Sequence, residues 1–152
     1  MRAEIIDTGE LYFYKAQLVI NKGAKEIFDF IAQPKNHSLM DGSGMVKGAI
    51  AGPARLSLGA KFGMRMKQGI PYVISNQVIE FKENQSIAWQ HLLHNVWRYE
   101  LHEIDENSTQ VTESWDARTA RGLWIIKRRN PQNWVPKAMG KSLVKLKEIV
   151  EA

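Results

Sequence analysis

Cysteine is absent from this 152-residue chain. That excludes a disulfide framework, a thiolate metal site and a cysteine nucleophile. Long apolar runs are missing as well, since no window approaches the roughly 18 residues of a membrane-spanning helix. The opening stretch MRAEIIDTGELYFYK has no apolar core of the secretory-leader kind, so a cytoplasmic protein is expected. The four histidines lack metal-ligand spacing. His37 with Asp41 would supply only two ligands, so no metal is expected. Gly42, Gly44 and Gly48 miss the dinucleotide-binding spacing by one residue and do not follow a strand-to-helix turn. Neither a phosphate-loop lysine nor a nucleophile elbow is present. No cofactor is expected.

What is there has the make-up of a folded domain, with 44% hydrophobic and 24% charged residues. A chain of this length is expected to form one domain over 1–152, burying roughly 70% of its unfolded surface. The net charge of +5 raises the question of nucleic acid, and much of the excess lies after residue 125. Lys137, Lys141 and Lys145, spaced by four, form one solvated stripe if that segment is helical. With no nucleic-acid-binding signature beside the stripe, no specific nucleic-acid partner is expected.

The first six residues show no clear pattern. LYFYKAQLVI (11–20) is rich in aromatic and β-branched residues and predicts a strand. NKGAKEIFDFIAQP predicts a short helix with Ile27, Phe28 and Ile31 on one face and Pro34 as its stop. KNHSLM fits a second short helical turn. The glycine-rich segment 42–63 fits short strands and tight turns. Strands are then expected over 61–66, 72–81, 87–93, 97–104 and 110–116, joined by the polar turns KENQ and DENS and by a tight turn at His94-Asn95. Residues 117–134 look irregular, with room for a helical turn. Val135–Ala152 places Val135, Met139, Leu143, Leu146, Ile149 and Val150 at helical spacing. A helix of that length spans roughly 27 Å, enough to cross a sheet.

The order is therefore strand, two short helices, about six antiparallel strands and one long amphipathic helix. An α+β architecture accounts for it, a curved antiparallel sheet with the long helix on its concave face, because each apolar face then has a partner.

Alternation along IAWQHLL (87–93) puts Ile87, Trp89, His91 and Leu93 on one face. A three-residue turn over His94–Val96 would pair Leu93 with Trp97, His91 with Tyr99 and Trp89 with Leu101. In the next strand Val111, Glu113 and Trp115 alternate in the same way. Pairing Leu101 with Val111 sets Glu113 beside Tyr99, so one row is expected to read His91, Tyr99, Glu113. On the strand before, either Asn76 or Gln77 adjoins His91. An aromatic-walled face with a few convergent polar groups has the character of a small-molecule pocket. The competing reading is a filled core in which the three polar groups satisfy one another, or a strand bulge that releases Glu113 to solvent.

Several stretches resemble the START-like (SRPBCC) superfamily, in particular its polyketide cyclase/dehydrase and lipid-transport branch. They are LVINKGAKEIFDFIAQP, GPARLSLGAKFGMRM, VIEFKENQSIAW with WRYELHEIDENSTQVTESWD, and the closing MGKSLVKLKEIV. The resemblance implies a helix-grip fold with an internal hydrophobic cavity between the sheet and the last helix. It implies binding of lipids, polyketides or other hydrophobic molecules, with a minority of members catalysing cyclisation or dehydration. The arginine-bearing polar pocket of aromatase/cyclases is not recognisable here.

Two functions follow as expectations. The first is binding or carriage of a hydrophobic small molecule, lined by Trp89, His91, Trp97, Tyr99, Glu113, Trp115, Met139 and Leu143. The second is a cyclase or dehydratase with His91 or Glu113 as general base and Tyr99 as proton donor. GLWIIKRR (122–129) is expected to cap the cavity, with transient membrane contact through Trp124 as the alternative.

Overall fold

The computed structural model describes all 152 residues. Two strands, β1 (Glu4–Ile6) and β2 (Phe13–Ile20), precede the helices α1 (Ala24–Ile31) and α2 (His37–Met40). Six further strands follow: β3 (Val46–Ala51), β4 (Lys61–Gln68), β5 (Ile70–Lys82), β6 (Ser86–Gln90), β7 (Val96–Asp105) and β8 (Ser108–Asp116). The chain ends in α3 (Leu123–Arg128) and α4 (Val135–Glu151). All eight strands belong to one antiparallel sheet of order β1-β2-β8-β7-β6-β5-β4-β3. This is an α+β fold with a long C-terminal helix, consistent with the helix grip.

The long helix forms because its apolar positions recur on one side. Val135, Met139, Leu143 and Leu146 are fully buried, while Lys137, Lys141 and Lys145 are exposed on the other side. Ile149 is already 36% exposed, so the last turn emerges from the core. α1 buries Ile27, Phe28 and Ile31 completely, and the chain leaves it through Pro34, which opens a short 3-10 turn leading into α2. The core side of the sheet is read every second residue: Phe62, Met64 and Met66 on β4, Tyr99 and Leu101 on β7, and Val111, Glu113 and Trp115 on β8 are all buried.

Three sequence expectations need correction. β1 was not anticipated: it is three residues long, mostly exposed, and held by pairing Glu4–Ile6 with Lys15–Gln17 of β2. The strand expected over 87–93 stops at Gln90. Beyond it the backbone turns, with His94 N–H donating to the His91 carbonyl and His94 in the left-handed region at φ 63°. The pairing of β6 with β7 accordingly sets Trp89 opposite Trp97 and Ile87 opposite Tyr99.

Candidate functional site

A cavity of about 420 Å³ lies between the sheet, α2, α3 and α4, and 17 of its 27 lining residues are hydrophobic. The sheet curves enough that Met64 of β4, Trp115 of β8 and Ala138 of α4 border the same space. The β6–β7–β8 register sets Trp89, Trp97 and Trp115 in one row across the floor. Tyr14 continues that row from β2, stacked on Trp115 with centroids 5.8 Å apart and planes 6° apart.

The neighbouring row is Ile87, Tyr99, Glu113 and Ala16. The expected pairing of Tyr99 with Glu113 is present; His91 is not in that row, because the β6–β7 register puts Ile87 opposite Tyr99 and, carried past Gln90, brings His91 to Asn95. His91 still borders the cavity, from the loop that joins β6 to β7. Its backbone N–H donates to the Asn95 carbonyl at 3.1 Å, and its Nδ1 is buried without a partner.

Glu113 is 3% exposed. The Tyr99 hydroxyl donates to Oε1 at 2.7 Å, and Oε2 is buried with no partner. Burial among tryptophans pushes the carboxyl group up to about 8, the Tyr99 hydrogen bond pulls it back in part, and the charge of Asp41 raises it further. At neutral pH Glu113 therefore mostly keeps its proton. Burial, together with the adjoining Glu113, also raises the Tyr99 phenol well above its ordinary value. Desolvation takes His91 down to about 4, so its imidazole is neutral at pH 7.

Asn76 settles the alternative left open on β5: it is 2% exposed and lines the cavity, with Oδ1 unpartnered, while Gln77 pairs with Gln90. His37, also on the wall, is already satisfied. Its Nε2 bonds the Ile31 carbonyl at 2.8 Å, which requires the Nε2–H tautomer, and its ring stacks on Trp89 at 4.8 Å. Burial takes it to about 4 as well. Asp41 lies just beyond α2 and is a loop staple, with Oδ1 accepting from Ser43 and Oδ2 from the Val46 N–H. No group of three His, Cys, Asp or Glu side chains is arranged to hold a metal ion.

Met139 and Leu143 do not line this space. Both are fully buried, and α4 turns Ala138 and Ser142 to the cavity instead. The apolar stripe of the helix is spent on the core, so the wall comes from the small residues one position earlier on the helix. Sequence reasoning passed over Ala138 and Ser142 because neither is large or ionisable. Their signal was the small-residue spacing i, i+4 beside the stripe. Ser142 also ties the helix to the loop after α2, its Oγ accepting from the Gly42 N–H at 2.7 Å.

α3 gives the cavity Ile125 and Ile126 and turns Trp124 outward, 65% exposed. Leu92, at the rim, is 81% exposed. The inner side of α3 thus caps the cavity, as expected of 122–129, and Trp124 stands on its outer side. No helix is long and apolar enough to cross a membrane.

No family model matches the chain. It is 41% identical over 101 residues to the uncharacterized protein Rv0088 of Mycobacterium tuberculosis strain H37Rv, a match covering 66% of this chain and 45% of that protein. The uncharacterized protein MT0096 of strain CDC 1551 is 40% identical over the same span. The match thus spans less than half the length of these relatives. Among solved structures, protein Ms6760 of Mycobacterium smegmatis superposes with a TM-score of 0.74 at 10% identity, over 99% of this chain and 98% of that one. A protein from Arthrobacter aurescens, solved by NMR, also gives 0.74 at 10% identity, over 97% and 91%. What this chain shares with those structures is its fold, a curved antiparallel sheet with a long C-terminal helix, compatible with the helix grip.

Proposed function

We propose that this protein binds and carries a hydrophobic small molecule in the cavity between its sheet and α4, as a member of the START-like (SRPBCC) superfamily. One observation carries the reading. Three buried polar atoms, Asn76 Oδ1, His91 Nδ1 and Glu113 Oε2, lack partners on residues that line a mostly apolar cavity. In a filled core such atoms would be paired, because each one left bare costs about 1–3 kcal/mol. Trp89, Trp97 and Trp115 offer flat apolar surface for the ligand body.

Entry of so apolar a ligand calls for an apolar rim. Leu92 supplies it, and the outward Trp124 with Lys127, Arg128 and Arg129 in and next to α3 suits transient contact with an anionic membrane. A cyclase- or dehydratase-type enzyme is the second reading, and the raised Glu113 carboxyl favours it. At neutral pH that group fits a proton donor better than the general base expected from the sequence, which leaves the neutral His91 imidazole as the acceptor.

The test is native mass spectrometry of the protein purified from its own host. A stoichiometric mass increment lost on Trp97→Ala supports the carrier. An empty protein that also binds no apolar probe overturns it.

A further inference from the structure

The outer surface offers less than the cavity. The basic stripe of α4 is solvated, with Lys145 donating to the Asp41 carbonyl, and the half-buried Lys147 off the stripe donates to the Val19 carbonyl and to Glu151. Arg55 is held by Asp29 and Glu83, and Arg118 by Glu10 and Asp116. The cleft beside Glu80, Arg98 and Glu103 is polar and open, with a salt bridge between Arg98 and Glu80. Inside the cavity the charges are distributed unevenly, and that unevenness says what the ligand's polar group must be.

Building on the carrier reading, we infer that the cavity takes its ligand polar end first, and that this end is an uncharged hydroxyl or carbonyl group and not a carboxylate. Two of the three unpartnered atoms lie on Asn76 and Glu113, 2% and 3% exposed, and the third is His91 Nδ1 in the β6–β7 loop, so most of the unmet hydrogen bonds are deep inside. A tail-first ligand would leave them bare and add apolar surface around them. Of the lining residues only Arg129 carries a permanent positive charge, and it is exposed at the mouth.

The titratable groups bordering the inner space are Tyr99 and Glu113 from the sheet, Tyr72 on β5, His91 in the β6–β7 loop, His37 on α2 and Asp41 after it. None of them brings a cation, since both histidines are neutral at pH 7. An anion buried there would meet no counter-charge and would face Asp41, whereas a hydroxyl exchanges hydrogen bonds with groups already waiting. Glu113 in its protonated form donates from Oε2, and Asn76 Oδ1 accepts. A ligand alcohol has both complements, which a carboxylate lacks.

The experiment is displacement of the neutral fluorophore N-phenyl-1-naphthylamine at pH 7 by three chains of equal length, 1-dodecanol, dodecanoate and dodecylamine. Dodecanol is expected to bind at least tenfold more tightly than dodecanoate. In Glu113→Gln, which keeps the shape and a donor but does not ionise, dodecanol affinity should hold from pH 7 to pH 9. The unmodified protein should lose severalfold over the same range. Dodecanoate binding as well as dodecanol, with Arg129→Ala weakening it, would show the head seated at the mouth and overturn the inference while leaving the carrier standing. Tighter dodecylamine would overturn it too, in favour of a buried ion pair with Glu113. Failure of the fluorophore and all three chains to bind overturns the carrier reading and this inference with it.

Discussion

Tyr99 and Glu113 face each other across the β7–β8 ladder, and the phenol donates to one carboxyl oxygen at 2.7 Å while the other oxygen is buried without a partner. The pair is half-satisfied, and it contains the most perturbed carboxyl group of the chain. Tyr99→Phe removes the one hydrogen bond Glu113 accepts. Its folded-state titration should move up beyond about 8, since that bond is what holds it down. The stability cost should be about 1–3 kcal/mol, because a second buried oxygen is left bare. Urea melts and a carboxyl-selective NMR titration read both, and an unmoved Glu113 titration would contradict the assignment.

The same group sets the pH dependence of stability. Glu113 titrates at about 8 when folded against 4.5 ordinarily, so the folded state holds the extra proton between those values. Its contribution is complete below about pH 4.5 and is lost as pH rises through 8. His37 and His91 are shifted the other way, to about 4 from 6.5, so their contributions are lost as pH falls from 6.5 to 4. Two rising limbs outweigh one falling limb below pH 6.5, and only the falling limb remains above it. Stability should therefore peak near pH 6.5 and decline toward pH 8. Glu113→Gln should flatten the alkaline side and steepen the rise between about pH 4.5 and 6.5, where the Glu113 limb opposes the two histidines. Thermal melts across pH 5 to 9 check this, and an unchanged alkaline slope in the variant would refute it.

Packing under α4 gives a sharper contrast. Leu146 is fully buried, so Leu146→Ala should cost about 2–5 kcal/mol. Lys145 is exposed and makes one hydrogen bond to the Asp41 carbonyl at 2.9 Å, so Lys145→Ala should stay within about 0.5–1 kcal/mol. Gly42 is the tighter constraint: a Cβ there would sit 2.4 Å from the Ala138 carbonyl oxygen and 2.5 Å from the Ser142 nitrogen. Both neighbours are helix backbone and cannot give way, so Gly42→Ala should cost about 1–3 kcal/mol by prising the loop from α4. Denaturant midpoints rank the three.

Trp124 offers a test of membrane contact. Binding to vesicles of phosphatidylcholine with phosphatidylglycerol should fall severalfold in Trp124→Ala and with added salt, while the melting temperature changes little, because the ring is 65% exposed. Equal binding by the variant would remove the membrane from the account.

How much of this could be read beforehand depended on whether a pattern was long enough to fix a register. On β7 and β8 the alternation of Trp97, Tyr99 and Leu101 against Val111, Glu113 and Trp115 runs through three turns of the pleat, and slipping by one would bury the charges of the opposite face. Their pairing was legible. On β6 the alternation of Ile87, Trp89, His91 and Leu93 outlasts the strand, because loop residues at the cavity rim are apolar for the cavity's sake. Leu92, 81% exposed, belongs to that rim. The choice between Asn76 and Gln77 was closed to sequence reasoning for a different reason. A bulge between Val78 and Glu80 inserts one residue into β5 and reverses the parity of everything before it. Bulges answer to sheet curvature, which no local window records.

His91 remains the residue whose placement most needs a purpose. It stands outside the strand, with a buried Nδ1 that bonds nothing and an imidazole kept neutral by desolvation. A packing residue in that position would be better replaced by leucine, which fills similar space and buries no unpaired atom. His91→Leu should therefore fold, with a melting temperature unchanged or raised. If the imidazole is there for a ligand's polar group, the same change should weaken 1-dodecanol by about 1–3 kcal/mol, roughly 5- to 150-fold. Displacement titrations beside thermal melts separate the two roles. Equal dodecanol affinity in both proteins would make His91 part of the wall and nothing more, and would leave Asn76 and Glu113 to hold the ligand alone.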